Sequence, residues 1–261
     1  MKIKLFQIDA FTDKVFCGNP AAVCILDSWI DEEKMQKIGA ENNLAETAFI
    51  VNKGNDFEIR WFTPYVEVDL CGHATLAAAY VLYKYYEYKS DKVIFHSRTS
   101  GELFVTRKND FLTLNFPKDI CEKVETPQVL IDAFGIKPLE TFKGKTDYLL
   151  IFQSQKNIED LNPDFNLIAA VGGRGVIVSA KGEQTDFVSR FFAPQVGVNE
   201  DPVTGSAHTT LAPVWSKILG KKILTAKQLS KRQGNLKCEC LDDRVEITGK
   251  AIIYLIGEIE I

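Results

Sequence analysis

The 261-residue chain lacks several features that would place it in a common class of protein. Its net charge of −4 and the absence of a concentrated basic stretch exclude a nucleic-acid-binding surface, which needs a dense basic face. No run approaches the roughly 20 consecutive apolar residues of a membrane span. The N-terminus alternates polar and apolar residues, which indicates a strand rather than a signal peptide. We therefore expect a cytoplasmic protein that binds neither nucleic acid nor a membrane.

Motifs for nucleotides and metals are also missing. The GGRG of residues 172–175 lacks the Lys-Ser/Thr of a phosphate-binding loop and does not match the dinucleotide fingerprint, so a helix stop before a strand explains it better. Six scattered cysteines favour thiols over a disulfide framework. Cys238 and Cys240 have neither a second cysteine pair nor a nearby histidine, which is a poor basis for zinc. We expect no cofactor and no metal.

What the chain does contain is an internal repeat. DFEIRWFTP at residues 56–64 recurs as DFVSRFFAP at residues 186–194, an offset of 130 residues (186 − 56). An Ala/Leu-rich helical stretch with a leading glycine follows each copy, CGHATLAAAYVL in the first half and TGSAHTTLAPVW in the second. Gly72 and Gly205 are 133 residues apart (205 − 72), so the second loop is three residues longer. A period this long predicts two similar subdomains with a cleft between them, where small-molecule sites most often form.

Hydrophobic patterning predicts that each half consists of strands and a long helix. The first half has predicted strands at residues 2–10, 22–26, 47–51, 57–62, 92–95, 101–107 and 111–116, and helices at 31–42 and 75–86. The second half has predicted strands at residues 146–152, 175–179 and 186–192, and helices at 164–171 and 207–219. Pro213 removes a backbone donor from the last helix, so we expect a kink or an early break there. Turn residues at 118–145 indicate a boundary that divides the chain into residues 1–118 and 119–261.

Gly72 and Gly205 each stand at a predicted turn into a helix. Glycine lets the backbone approach a ligand closely, and the first N–H groups of a helix carry partial positive charge. Two such helix ends facing one cleft would bind a carboxylate and the enolate-like charge that develops when a carbon is deprotonated. Either glycine alone could serve only a tight turn, but the recurrence of the motif favours a function.

Polar residues beside the two glycines are candidates for substrate contacts. His73 is at a helix N-terminus and should face the cleft. Asp201 lies in NEDPVTGS and is expected opposite His73, where an Asp–His pair would hold a polar substrate; the alternative is a turn residue before proline. Ser206 has the residue type of an N-cap, which is compatible with a ligand contact. His208 either assists the site or only caps the helix.

Glu46 is the candidate for acid/base chemistry. It lies in NNLAETAFIV, where a predicted strand begins among apolar neighbours. A carboxylate in such surroundings costs free energy unless it is paired or its pKa is raised, and a raised pKa suits it to take and return a proton near neutral pH. The alternative is a strand-edge glutamate that points at water.

Together these segments resemble the phenazine-biosynthesis PhzF-like family. The matching pieces span most of the chain and read DAFTDKVFCGNPAAVCIL, NNLAETAFI, RWFTPYVEVDLCGHATLAAA and RFFAPQVGVNEDPVTGSAH. The resemblance implies an α+β fold similar to diaminopimelate epimerase. In that fold two pseudo-symmetric halves each wrap a barrel-like, mostly antiparallel sheet around a central helix. The resemblance also implies isomerisation by proton relocation without a cofactor.

The resemblance assigns roles residue by residue. Glu46 matches the acid/base glutamate; the positions that bind substrate or shuttle protons are matched by His73, Asp201 and Ser206, and the helix-terminus donors by Gly72 and Gly205. Two-base epimerases of this fold place a cysteine before each glycine. Here Cys71 precedes the first glycine but Thr204 precedes the second, and a hydroxyl is far too weak an acid to replace a thiol. This difference disfavours a two-thiol racemase, so Cys71 is expected to be structural or a modest modulator.

The sequence therefore predicts a cofactor-independent isomerase that relocates a proton on a small cyclic or unsaturated carboxylate, with Glu46 as base and then acid. Two alternatives stay open. One is an epimerase or lyase that acts through Glu46 or Cys71. The other is a non-catalytic module that binds a small molecule or a protein. The oligomeric state is also open, with a homodimer as one alternative.

Overall fold

Seventeen strands and six α-helices make up the fold in the computed structural model, which describes residues Met1–Ile261. The strands are, in chain order, β1 (Lys2–Ala10), β2 (Asn19–Leu26), β3 (Glu46–Asn52), β4 (Phe57–Phe62), β5 (Glu67–Val68), β6 (Lys92–Ser97), β7 (Gly101–Lys108), β8 (Phe111–Pro117), β9 (Glu122–Val124), β10 (Glu140–Lys143), β11 (Asp147–Ile151), β12 (Gly175–Lys181), β13 (Phe187–Phe192), β14 (Ile223–Gln228), β15 (Gly234–Cys240), β16 (Arg244–Gly249) and β17 (Ala251–Glu260). The helices are α1 (Glu32–Asn42), α2 (Gly72–Tyr85), α3 (Gln128–Phe134), α4 (Gln155–Asp160), α5 (Phe165–Ala170) and α6 (His208–Leu219). None of the helices combines the length and the apolar character that a membrane span requires.

The chain forms two compact units. Met1–Asn115 and Thr248–Ile261 belong to the first, and Phe116–Ile247 form the second. This grouping differs from a division after residue 118 in two respects: the boundary lies after Asn115, and the C-terminal segment Thr248–Ile261 belongs to the first unit. Strand β17 is antiparallel to β1 along almost its whole length, so its backbone hydrogen bonds hold it there.

The two units share one order of strand pairing. In the first unit, β1 and β2 are antiparallel, β2 and β3 parallel, β3 and β4 antiparallel, β4 and β6 parallel, and β6 and β7 antiparallel. The same alternation runs from β10 through β11, β12, β13 and β14 to β15 in the second unit. In both, a helix follows the fourth strand of the series, α2 in the first unit and α6 in the second. The sequence repeat therefore reflects a repeated topology.

Helix α2 is the buried helix of the first unit, as its apolar sequence predicts. Its small residues Ala77, Ala78 and Ala79 are fully buried, and the helix packs against β1, β2, β3, β7 and β17. It begins at Gly72, three residues before the predicted start, because Cys71 is still extended and serves as the N-cap. This earlier start places His73 in the first helical turn.

The alternative of an early break at Pro213 is wrong, because α6 continues to Leu219, whereas a kink there stays a prediction. A proline at position 213 cannot donate to the carbonyl of Thr209, four residues earlier. The backbone N–H of Asp119 donates to that carbonyl instead, at 3.2 Å. The side chain of Asp119 also accepts a hydrogen bond from the Thr210 hydroxyl at 2.7 Å. The missing helical hydrogen bond is therefore replaced by one from another segment of the second unit.

Each copy of the repeat contains an arginine that clamps the loop before the helix. Arg60 donates to both carboxylate oxygens of Glu67, at 2.6 and 2.5 Å, and Arg190 does the same to Glu200, at 2.7 and 3.0 Å. Glu67 and Glu200 each lie five residues before the repeated glycine. The hydrogen bond to Glu67 raises the pKa of the Arg60 guanidinium above its ordinary value. Bidentate pairs of this kind fix geometry as well as charge, so each clamp sets where the following helix starts.

Replacing Arg60 by methionine should lower the free energy of unfolding by about 2 kcal/mol, because it removes charge-assisted hydrogen bonds from a side chain that is 9% exposed. The measurement is urea unfolding followed by circular dichroism. The control is K37M, which breaks the exposed Lys37–Glu33 pair and should change stability by less than about 0.5 kcal/mol. Equal losses in the two variants would contradict a structural role for the clamp.

Candidate active site

Four polar side chains of the first unit meet at the start of α2. His73 is at their centre and is only 6% exposed. Its Nε2 lies 3.2 Å from Oε2 of Glu46, and its Nδ1 lies 3.3 Å from the amide nitrogen of Asn19 and 3.4 Å from Sγ of Cys71. A carboxylate and a thiol thus stand at the two nitrogens of one imidazole.

These side chains lie at the starts of three secondary-structure elements, two strands and one helix. Asn19 is the first residue of β2, Glu46 is the first residue of β3, and Cys71 is the N-cap of α2. Strands β2 and β3 are parallel, with Ala21 opposite Glu46, so their starts lie at the same edge of the sheet. Gly18 allows β2 to begin here, because its φ is +68° and a Cβ would lie 2.1 Å from the carbonyl oxygen of Ala10.

The Glu46 side chain is largely withdrawn from water. It is 18% exposed, and β3 lies between β2 and β4 rather than at a sheet edge. The alternative of an edge glutamate that points at water is therefore wrong. Partial burial is a setting in which a carboxylate can serve as a general acid/base.

The hydrogen bonds of His73 assign its tautomer. The Asn19 amide nitrogen can only donate, so Nδ1 is the acceptor in this contact and the ring proton is on Nε2, which lies 3.2 Å from Oε2 of Glu46. Asn19 is fully buried and was not among the predicted site residues. The only signal for it in the sequence was its place in GNPAAV, directly after the glycine that starts the strand.

Gly72 and Cys71 form the start of α2. Gly72 is the first helical residue, and the first N–H groups of a helix have no partner within the helix. These groups and the helix dipole make this end attractive for an anion, as predicted from the glycine. Cys71 is 6% exposed and contacts His73, so it is not an isolated packing residue.

In the second unit, Asp201 and Thr204 are held in one hydrogen-bonded turn. The Thr204 hydroxyl donates to the Asp201 carboxylate at 2.5 Å. Gln228 is fully buried and holds this turn through two hydrogen bonds. Its side-chain Nε2 donates to the Asp201 carbonyl, and its side-chain Oε1 accepts from the Thr204 N–H. No pattern in the sequence singled out Gln228. Pairing of Asp201 with His73, which belong to different units, stays a prediction.

Ser206 does not cap α6, contrary to the expectation from its type. The N-cap is Ala207, and Gly205 and Ser206 lie in the preceding turn, where the Gly205 carbonyl accepts from the His208 N–H at 3.0 Å. The Ser206 hydroxyl instead accepts a hydrogen bond from Arg174 at 2.9 Å. A role for Gly205 and Ser206 in substrate contact stays a prediction.

Arg174 is a residue that the sequence analysis overlooked, since it lies in the GGRG segment. Gly172 and Gly173 have positive φ and separate α5 from β12, which confirms the helix stop. Arg174 forms a bidentate pair with Asp147, which is 2% exposed, and also bonds Ser206. The segment therefore also orients the Ser206 hydroxyl.

His208 is fully buried and neutral. Its Nδ1 donates to the carbonyl of Thr204 at 2.8 Å, and burial lowers its pKa from 6.5 to about 4. Its ring packs against Phe187, with centroids 5.9 Å apart. These contacts support a structural role, in which His208 holds the carbonyl that precedes Gly205.

The depressed pKa of His208 should make stability depend on pH. The unfolded chain binds a proton near pH 6.5 and the folded chain only near pH 4, so stability is present above pH 6.5 and is lost as pH falls towards 4. Between pH 7 and 5 the wild type should lose about 2 kcal/mol more than H208N, which keeps a donor near the Nδ1 position. Urea unfolding at both pH values measures this loss. An identical pH dependence in the two proteins would contradict the buried neutral state.

Comparison with known proteins assigns the chain to a family. The family model described as "Phenazine biosynthesis-like protein" matches residues 8–257. An uncharacterized isomerase of Pseudomonas aeruginosa is 50% identical over 261 residues, which cover 100% of both chains. The crystal structure of a PhzF-family phenazine biosynthesis protein of Enterococcus faecalis has a TM-score of 0.97 at 44% identity and covers 100% of both chains.

A more distant structure extends the likeness at the level of the fold. A predicted epimerase of Pseudomonas aeruginosa has a TM-score of 0.75 at 19% identity and covers 98% of this chain and 99% of its own. The predicted α+β fold of the diaminopimelate epimerase type is confirmed by these neighbours. Among curated relatives, the name isomerase recurs in proteins that match along their full length. The chain belongs to the phenazine biosynthesis-like family and is an isomerase.

Proposed function

We propose that the protein relocates a proton on a small cyclic or unsaturated carboxylate without a cofactor, and that Glu46 is the general acid/base. The observation that carries this proposal is the contact between Oε2 of Glu46 and Nε2 of His73, at 3.2 Å in a largely buried site. Contact with the imidazole positions the Glu46 carboxylate, and in this proposal the carboxylate accepts a proton from the substrate.

The proposed reaction has two proton transfers. Ionised Glu46 removes a proton from a carbon that is acidified by the substrate's unsaturation or carboxylate. The negative charge that develops is delocalised in the substrate and is stabilised by the N–H groups at the start of α2, which begins at Gly72. Protonated Glu46 then returns the proton to another atom of the conjugated system, so the double bond moves and the atoms of the substrate are conserved.

His73 positions the carboxylate rather than exchanging the substrate proton itself. Its ring is fixed on one side by Asn19 and on the other by Glu46. An imidazole in this position fixes the orientation of the Glu46 carboxylate. His73 is then a substrate-site residue whose main contribution is orientation.

Glu46→Gln should keep the volume of the side chain and the affinity for ligand while removing turnover. The expected loss is roughly 10²- to 10⁴-fold, the usual scale for a general base. The measurement is incorporation of deuterium from heavy water into candidate carboxylic acids, followed by mass spectrometry. Exchange without net conversion would still demonstrate proton transfer.

The matched control for this experiment is Glu41→Gln, which neutralises an exposed carboxylate of α1 in the same unit. It should exchange at the wild-type rate. If E46Q exchanges at the wild-type rate as well, the proton-transfer role belongs to another group, and Cys71 is the next candidate.

One observation keeps an epimerase or lyase as the second candidate function. Sγ of Cys71 lies 3.4 Å from Nδ1 of His73 and at the N-terminus of α2. The thiolate is the basic and nucleophilic form of cysteine, so Cys71 is the second candidate for proton transfer at this site. C71S distinguishes the two candidates, since the glutamate-based isomerase should retain most of its exchange activity in this variant.

The ligand should be a monocarboxylate rather than a polyanion. The start of α2 attracts one negative group, whereas the nearby carboxylate of Glu46 repels a second. Calorimetry at equal ionic strength should therefore give tighter binding for anthranilate-like acids than for nucleotides. A preference for nucleotides would contradict the proposal, and acid binding without deuterium exchange would favour the non-catalytic module.

A further inference from the structure

The group formed by Glu46, Cys71 and His73 has the composition of a transition-metal site. It combines a carboxylate, a thiol and an imidazole, whose ligand atoms all lie within 4.8 Å of one another. Thiolate and imidazole are common ligands of zinc in proteins. Oxygen-binding cations such as Mg²⁺ do not suit this set.

The spacing within this group fits one metal ion at Cys71 and His73. Zinc bonds of about 2.3 Å to sulfur and about 2.0 Å to nitrogen place the two ligand atoms roughly 3.6 Å apart at a tetrahedral angle. Sγ of Cys71 and Nδ1 of His73 are 3.4 Å apart. Nδ1 is also the ring nitrogen that lacks the proton in the tautomer assigned above, so its lone pair is available once the long Asn19 contact of 3.3 Å is given up.

Glu46 occupies the place of the carboxylate that orients a metal-binding histidine. In protein zinc sites the second ring nitrogen of such a histidine usually donates to a carboxylate. Here Nε2 of His73 lies 3.2 Å from Glu46. The thiolate and the carboxylate together contribute two negative charges, which balance the charge of a divalent cation next to the positive end of α2.

We propose that Cys71 and His73 bind a soft divalent cation, with Zn²⁺ as the reference ion, and that Glu46 supports the site through His73. Binding converts the thiol to a metal thiolate and releases one proton to solvent, so charge and atoms balance. A cation bound here ties Glu46 to His73 and blocks the start of α2, so it inhibits any reaction that uses this carboxylate.

The test is calorimetric titration of the reduced, chelator-stripped full chain with Zn²⁺. One equivalent should bind, with release of about one proton, seen as a dependence of the heat on the ionisation enthalpy of the buffer. C71S and H73Q should lose this binding. E46Q should bind about 10- to 100-fold more weakly, which is the usual effect of removing the supporting carboxylate.

Two control variants separate this site from others on the chain. H96N removes a histidine beside Asp56 and Glu102, at 3.2 and 3.9 Å, which forms an exposed group without a thiol. C121S removes a half-buried thiol of the second unit. Both should bind Zn²⁺ as the wild type does. Circular dichroism and urea unfolding of C71S establish that it is folded when it is titrated.

Cobalt gives an independent signature of the thiolate. Addition of Co²⁺ should produce a near-ultraviolet thiolate-to-cobalt band in the wild type, H96N and C121S, but not in C71S. Absence of the band in the wild type, or Zn²⁺ binding that is unchanged in C71S, would overturn the proposal. Both readouts are independent of turnover, so failure of the proposed isomerase would leave the metal result intact, and the reverse also holds.

Discussion

The bidentate arginine–glutamate clamp is the interaction on which the rest of each unit depends. Arg60 and Arg190 occupy the same place in the repeated sequence, and each ties down the glutamate that lies five residues before the repeated glycine. A guanidinium that is mostly withdrawn from water must keep its carboxylate partner, because an unpaired buried charge is costly. The clamp therefore holds the loop against the strand, so the following helix begins close to the end of that loop. The three extra residues of the second copy lie between arginine and glutamate, where they lengthen the loop without moving the glycine relative to the clamp.

The candidate site follows from this constraint together with the parallel pairing of β2 and β3. Parallel strands start at the same edge of a sheet, so Asn19 and Glu46 are neighbours although 27 residues (46 − 19) separate them. The N-terminus of α2 supplies His73 and Cys71 to the same place. Each functional side chain sits at or next to the first residue of a strand or helix. The rigid elements behind them hold the side chains in fixed orientations, which acid/base chemistry requires.

The two units have the same topology but different chemistry at the repeated glycine. In the first unit the residue before the glycine is Cys71. Its Sγ lies 3.4 Å from Nδ1 of His73, a separation that suits two ligands of one metal ion. In the second unit it is Thr204, whose hydroxyl and N–H are both used to hold a turn with Asp201 and Gln228. The histidines differ in the same way. His73 contacts the carboxylate of Glu46. His208 is instead fully buried, burial lowers its pKa to about 4, and its ring donates to the backbone carbonyl of Thr204. The two units therefore share a topology, and the groups proposed for proton transfer lie in the first unit.

Through its resemblance to a known family, the amino-acid sequence implied the α+β class. By itself it determined the duplication, nearly all strands of the first half, Glu46 at the start of a strand and His73 at the start of a helix. These follow from local patterns: alternation, helical periodicity and a repeated motif. Tertiary structure alone decided the rest. Pro213 did not stop its helix because Asp119, 94 residues earlier (213 − 119), donates to the carbonyl that proline leaves unpaired. Asn19, Arg174 and Gln228 became important through hydrogen bonds to residues far away in the sequence, and no local pattern encodes such partners. No local pattern encodes the position of the His73 imidazole between Glu46 and Cys71 either. Its contacts depend on how two strands and a helix pack, and the whole unit determines that packing.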